Sequence, residues 1–530
     1  MPAASKNVAR ITCAFLALLA PAGPIGSATA EPIDADVLLS GGMVYEGTAA
    51  EGFVGDVAFK AGRIVAIGTF EVGRVGQTID CRGCIVCPGF IDLHNHSDRS
   101  ILDPATRANV NFVTQGCTTV ITGNCGFGPI EVAKYLDEVD RNGAGTNVGH
   151  LLPHGALRAA VLGSERRPAT ADELAKMESL AEQAMREGAW GMTTGLIYVP
   201  GTYADTDELV RIASVVARYH GIYASHVRNE GTGLIDAVRE ALQIGERSGA
   251  SVHVSHLKAS GRNAWGQVRV AADLIERART AGQTVTADQY PYVASSTSLE
   301  AMLFPAWARE GGRDALVARM DDAEQRAKIR QAVAEELAAH GRIVLASCAG
   351  RPEWVGSSLD EIATRDNRAV LEVALEVQRL GGAGAIHFGM DEQDVRYVMT
   401  LPWVATASDG GAMVPGSEHP HPRNFGTFAR KVGRYAVEEQ VISVAAAIRS
   451  ATGLPADILG LSDRGYLRSG YWADVVVFDR AAFRDRATFD RPCQFSAGVR
   501  YVFVSGQPAL FEGMATGGLF GRSLRHESRR

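Results

Sequence analysis

Apolar and polar positions alternate with two periods along residues 189–288. Short apolar or β-branched runs at 189–194, 221–226, 249–256 and 283–288 read as strands, whose successive side chains take opposite faces. Between them, apolar residues recur at helical spacing over 209–221, 234–249 and 268–282, each stretch closing on a glycine. Glycine just past the last turn stops a helix. Strand ends fall at near-constant intervals: 32 residues from Thr194 to His226, 30 from His226 to His256 and 32 from His256 to Asp288. Upstream, Thr170 and Glu173 have the spacing of a capping box that opens a further helix. Units of strand plus helix about this long predict a parallel sheet, and several in succession predict an α/β fold of the (β/α)8 barrel type. In such a barrel the chemistry sits at the C-terminal ends of the strands.

Those ends carry metal-ligand residues. The run at 88–96 finishes in His94-Asn95-His96, so the two imidazoles share a face while Asn95 points away. His226 and His256 end the next two candidate strands. Within 251–256, Val252, Val254 and His256 lie on one face and His253 on the other, so His256 reads as a ligand and His253 as structural. A β-branched run at 117–122 leads into a glycine-rich turn holding Cys125. A thiolate at a barrel mouth could complete a zinc site with His226 and His256, although a buried free thiol is the commoner fate of a lone cysteine. Asp409, in Ser408-Asp409-Gly410, ends a late strand, in a triplet that elsewhere makes simple turns.

Composition changes this picture in three ways. A chain of 530 residues, 46% hydrophobic, can bury a large core and more than one domain. Its 53 basic and 60 acidic residues give a net charge of −7, which argues against nucleic acid or an anionic membrane as partner and says little about a small-molecule substrate. The N-terminus has Lys6 and Arg10 before an apolar stretch at 11–22, then small residues to Ala28-Thr29-Ala30. That order predicts a cleavable signal peptide at 1–30, cut after Ala30, and a periplasmic or secreted protein. The apolar stretch is too short to span a bilayer. Of eight cysteines, Cys13 would leave with the signal, and the remaining odd number suits one thiolate kept for metal. Cys81, Cys84 and Cys87 lack a second pair at zinc-finger spacing and read as structural or incidental.

Several long motifs occur in order: PGFIDLHNHSD at 88–98, TTVITGNCGFGP at 118–129, TTGLIYVPGTYA at 193–204, ASHVRNEG at 224–231, HVSHLKASG at 253–261, ADQYPY at 287–292, ASDGG at 407–411 and HPRNFGTFAR at 421–430. Together with DRGYLRSGYWADVVVFD at 463–479 they resemble the amidohydrolase superfamily, specifically its N-acyl-D-amino-acid deacylases (D-aminoacylases), over nearly all of the chain after residue 30. The cysteine of GNCG is the sharpest discriminator, because many relatives place a carboxylated lysine near that point. The resemblance implies one zinc held tightly by Cys125, His226 and His256, and a weaker second position formed by His94, His96 and Asp409. It implies that Asp409 moves the proton during hydrolysis, and that Lys258, Tyr290, Ser296 and Arg423 orient the substrate.

The resemblance also implies a small β-sandwich built from both chain ends, consistent with strand-like runs at 36–42, 55–68, 473–478 and 499–511. The expected division is 31–86 plus 464–530 for that domain and 87–463 for the barrel. Between 297 and 384 the period breaks into charged helices, which read as an insertion serving as a lid or packed to the side. His150 and His154 read as structural. Two other readings stay open: a metal-dependent amidohydrolase for a cyclic amide, a dipeptide or an N-acyl-D-glutamate or aspartate, and a non-catalytic binding protein on the same scaffold.

Overall fold

Eight parallel strand positions close into a barrel in the computed structural model, which describes residues 31–416 and 418–527. In order they are Phe90–Asp92, Cys117–Thr122, Asn147–His150 continuing into Leu152–Pro153, Gly191–Gly195, Ile222–His226, Ser251–Val254, Val285–Gln289 and Val404–Thr406. Each neighbouring pair is parallel. The ring closes where the last strand returns to the first: Asp409 N donates to His94 O at 2.8 Å, and His96 N to Gly410 O at 2.7 Å. Strands in a barrel are covered on both faces, which is why Cys117–Thr122 and Ile222–His226 are buried throughout and read as continuous runs. The expected signal peptide, residues 1–30, lies outside the described residues.

The connecting helices follow their sequence signals. Ala171–Arg186 opens with the Thr170 capping box, and Thr206–Arg218 opens on Asp205, whose carboxylate accepts from Glu208 N at 2.8 Å. Leu234–Ser248 stops at Gly249, whose φ of +76° suits glycine. Leu209, Ile212, Val216, Ile244, Val268 and Ile275 turn inward from these helices and are fully buried against the strands. Each such side chain contributes roughly 1.5–3 kcal/mol of hydrophobic stabilisation.

Both chain ends build one nine-stranded sheet beside the barrel. Ile33–Val44 pairs antiparallel with Phe53–Lys60 and parallel with Val72–Asp80 and Cys84–Pro88. Cys84–Pro88 in turn pairs antiparallel with Val475–Asp479, which joins the C-terminal strands. The sheet bends around its own core, so that Phe59 from one end meets Phe503 from the other at 5.0 Å between ring centroids. A single bent sheet therefore supplies the layers that a sandwich would take from two. The final residues leave it: Gly521 and Ser523 bridge to Ala144 and Val148 of the barrel side, and Trp190 Nε1 donates to Leu524 O at 2.8 Å.

The insertion is a packed unit with its own three-stranded antiparallel sheet, in which Gly384–His387 lies between Ser295–Ser298 and Ile343–Ser347. Leu299, Phe304, Leu316, Ile329, Trp354 and Val377 fill a separate core beneath it. Its sheet begins two residues before, and ends three residues after, the expected 297–384. Among the described residues no helix is long and apolar enough to cross a membrane.

Candidate metal centre

The residues at the strand ends converge on one thiol. Cys125 Sγ lies 3.2 Å from His94 Nε2, 3.7 Å from His226 Nδ1 and 3.7 Å from His256 Nε2. Asp409 Oδ1 lies 3.4 Å from His94 Nε2 and 3.0 Å from His96 Nε2. Ligand atoms of His94, Cys125, His256 and Asp409 all fall within 4.8 Å of one another. A thiolate, imidazoles and a carboxylate at this spacing suit a borderline-soft divalent ion such as zinc. The tight set and the weaker set expected from the sequence are not separate in space, because Cys125 touches members of both.

Backbone geometry aims these side chains. Cys125, His256 and Asp409 have φ of +53°, +36° and +51°, in the left-handed region that residues other than glycine seldom take. Strand alternation predicts the inward face for His256, but the strand ends at Val254 and the local turn sets the ring's direction. His253 does face elsewhere, and it joins a supporting network around Asp288. Asp288 Oδ2 lies 2.9 Å from His253 Nε2 and 3.3 Å from His94 Nδ1, while Oδ1 accepts from His256 N at 2.8 Å. Asp92 anchors the neighbouring turn, accepting from Ser408 N at 2.8 Å, Ser408 Oγ at 2.5 Å and Asn95 Nδ2 at 2.9 Å.

The electrostatics follow from crowding opposite charges out of water. Burial alone would raise the Cys125 thiol, but His94, His226 and His256 together hold it well below the usual thiol range. Burial works against a charged His96, yet the Asp409 and Cys125 partners carry it up to about 9. Asp409 is buried too, and Arg423, His94 and His256 outweigh that burial and keep its carboxyl well below the ordinary range. Asp92 has weaker compensation, and burial pushes it up to about 6.

A cavity of about 270 Å³ opens over this cluster. His96, His226, His256, Lys258, Tyr290, Ser296, Asp409 and Arg423 all line it, as do Phe127, Tyr198 and Glu230. The Arg423 guanidinium sits 2.8 Å from Asp409 Oδ2, donates to Ser296 O at 3.1 Å, and lies over the Tyr290 ring at 4.8 Å. Lys258 Nζ pairs with Glu230 at 2.5 Å. The insertion supplies one wall through Ser295–Ser298, and Tyr198 Oη meets Thr297 Oγ1 at 2.8 Å across it.

Other candidates stay outside the cluster. His150 bonds Thr122 Oγ1 and Pro129 O, and His154 bonds Glu208. Cys81, Cys84 and Cys87 are buried free thiols in the nine-stranded sheet region. Sequence reasoning assigned no site role to Glu230 or Asp288, although both lie inside recognised motifs. Asp288 ends a strand in step with His226 and His256, a signal that could have placed it near the centre.

A family model described as amidohydrolase family matches residues 77–510. The chain is 35% identical over 512 residues to a D-aminoacylase of Alcaligenes xylosoxydans xylosoxydans, covering 92% of this chain and 97% of that one. Among solved structures it resembles a D-aminoacylase studied for its binuclear metal centre, with one-metal activation and second-metal attenuation, at TM-score 0.80 and 34% identity over 93% of this chain and all of that one. It is equally similar to the N-acyl-D-glutamate deacylase of Bordetella bronchiseptica in complex with zinc and a phosphonate mimic of the tetrahedral intermediate. That match has TM-score 0.81 and 33% identity, again over 93% of this chain and the whole of the other.

Proposed function

The chain belongs to the amidohydrolase family, and on that premise we propose that it is a zinc-dependent hydrolase of N-acyl-D-amino acids, releasing a carboxylate and a free D-amino acid. The observation that carries this reading is the convergence of Cys125, four histidines and Asp409 beneath a cavity that also holds Arg423 and Lys258. Cys125, His226 and His256 would hold the first zinc, and His94, His96 and Asp409 a second, weaker one. Bound zinc supplies Lewis-acid chemistry, polarising the amide carbonyl and lowering the pKa of water toward ~7.

The chain's own groups do the rest. Asp409, ionised beside Arg423, is placed to take a proton from the attacking water and to return it to the leaving amine nitrogen, which cannot depart as an anion. Arg423 presents a planar fork suited to a free carboxylate, with Tyr290 behind it fixing the guanidinium plane. Lys258 adds a second positive charge on the same side, and Ser296 holds Arg423 through its carbonyl. Arg423→Ala is expected to raise KM for acyl amino acids at least tenfold, and an unchanged KM would remove Arg423 from substrate binding. The order of charge, apolar core and small residues at 1–30 supports export, and N-terminal sequencing of the mature protein should begin at Glu31.

Incubation of the zinc-loaded protein with N-acetyl-D-methionine and with N-acetyl-L-methionine, followed by assay of released amine, tests the reaction class. Release from the D form alone is expected. Release from the L form alone, or from none of the D forms once N-acetyl-D-aspartate and N-acetyl-D-glutamate are included, would refute it.

A further inference from the structure

We propose that Glu230 is the positioning residue that turns both His226 and His256 toward Cys125. Resting on the reading that these two histidines and Cys125 hold zinc, it adds a residue to that centre which is not itself a ligand. Each imidazole has two nitrogens, and which one faces the metal depends on what holds the other. His226 presents Nδ1 to Cys125, leaving Nε2 on the far side, buried and 3.6 Å from Glu230 Oε2. That nitrogen has no hydrogen-bond partner among the described residues, and Glu230 is the carboxylate beside it. His256 presents the opposite nitrogen, Nε2, and its Nδ1 lies 2.9 Å from Glu230 Oε1 and 2.8 Å from Lys258 Nζ. When Nε2 holds the metal the ring proton sits on Nδ1, and of these two neighbours only the Glu230 carboxylate can accept it, since an ammonium has no acceptor.

The two rings stand nearly perpendicular, at 84° with centroids 4.5 Å apart, and Glu230 reaches toward the outer nitrogens of both. Glu230 occupies that angle because its loop is pinned on either side. Arg228 is tied to Glu240 at 2.9 Å and to Thr202 O and Ala204 O at 3.0 Å. Asn229 Oδ1 accepts from Gly231 N and Gly233 N, and Ser260 N donates to Glu230 O at 2.7 Å. His256 needs such a hold, since its positive φ leaves the ring without a strand neighbour to fix it. The Lys258 ammonium balances the buried carboxylate at 2.5 Å.

Zinc affinity by chelator competition, and the visible spectrum of the cobalt-substituted protein, would be compared for wild type, Glu230→Gln and Glu230→Ala. Glu230→Ala is expected to bind zinc about 10–100-fold more weakly, with shifted cobalt bands, and Glu230→Gln to fall between it and wild type because it keeps one acceptor oxygen. Glu230→Gln also leaves the buried Lys258 ammonium unpaired, so its metal-free unfolding temperature is expected below wild type, and shifted cobalt bands in the folded protein separate positioning from folding. Should Glu230→Ala not fold, the near-isosteric Glu230→Gln alone decides. Wild-type zinc affinity and an unaltered cobalt spectrum in the variant that folds would overturn the assignment. Failure of the wild-type protein itself to retain zinc would instead overturn the metal reading on which it stands.

Discussion

Cys125, His256 and Asp409 combine a functional side chain with a left-handed backbone, and each such residue costs of order 1–3 kcal/mol. The surrounding barrel must supply that energy, and its reward is three donors pointing at one spot. Side-chain type and spacing let His94, His96, Cys125, His226, His256 and Asp409 be read from the sequence. Their backbone angles could not be read, and neither could Glu230, because a carboxylate four residues after a histidine looks like ordinary surface polarity. For Asp409→Asn, zinc content should stay at the wild-type level while kcat falls by about 10²–10⁴, which steady-state kinetics on metal-loaded protein would check. A second residue lies far from this chemistry in role. Lys431 is buried without a hydrogen-bond partner among the described residues, and burial pulls its ammonium down to about 7. The unfolded chain then binds more protons than the folded one between pH 7 and about 10.5, so this residue makes stability rise with pH across that window. Lys431→Met should flatten that rise and add roughly 3–5 kcal/mol at neutral pH, read from denaturant unfolding at several pH values.

The elements most legible in the sequence were the central strand and helix units, because burial on both strand faces and one helix face leaves an apolar pattern of fixed period. The insertion was legible only as a break in that period. Its strand Ser295–Ser298 is polar and partly exposed, and its partner Gly384–His387 lies some ninety residues on, so no local pattern announces the pairing. Close approach between elements was equally hidden. A Cβ on Gly195 would stand 2.1 Å from the Cys125 carbonyl oxygen, so the end of the fourth barrel strand can touch the cysteine turn only as glycine. Gly195→Ala is expected to cost about 1–3 kcal/mol in stability and to weaken zinc binding by displacing Cys125, where Gly249→Ala, facing open space, should leave zinc binding unchanged. Equal zinc affinity in the two variants would contradict this view of how the turn is held.

Across the whole molecule, the barrel and the nine-stranded sheet meet at a buried ion pair between Arg464 and Asp474. Asp474 also accepts from Asn147 Nδ2 at 3.1 Å, on a barrel strand, and from Ser505 N at 2.6 Å, beyond a strand of the sheet. Asp474→Ala would leave a buried arginine unpaired, and a loss of about 3–5 kcal/mol is expected in equilibrium unfolding. That the two chain ends pack together was foreseeable, but their union in one sheet in place of a sandwich, and the return of the C-terminal residues to the barrel, were not. Their contacts are backbone bridges, polar pairs and one buried side chain, Leu524 against Trp190, too few apolar positions to form a periodic pattern. All these levels meet in the claim that one cysteine anchors the metal. X-ray absorption at the zinc edge of protein carrying a single zinc measures it directly. One sulfur at about 2.3 Å with nitrogen or oxygen neighbours at about 2.0–2.2 Å is expected, and a shell of nitrogen and oxygen alone would contradict it.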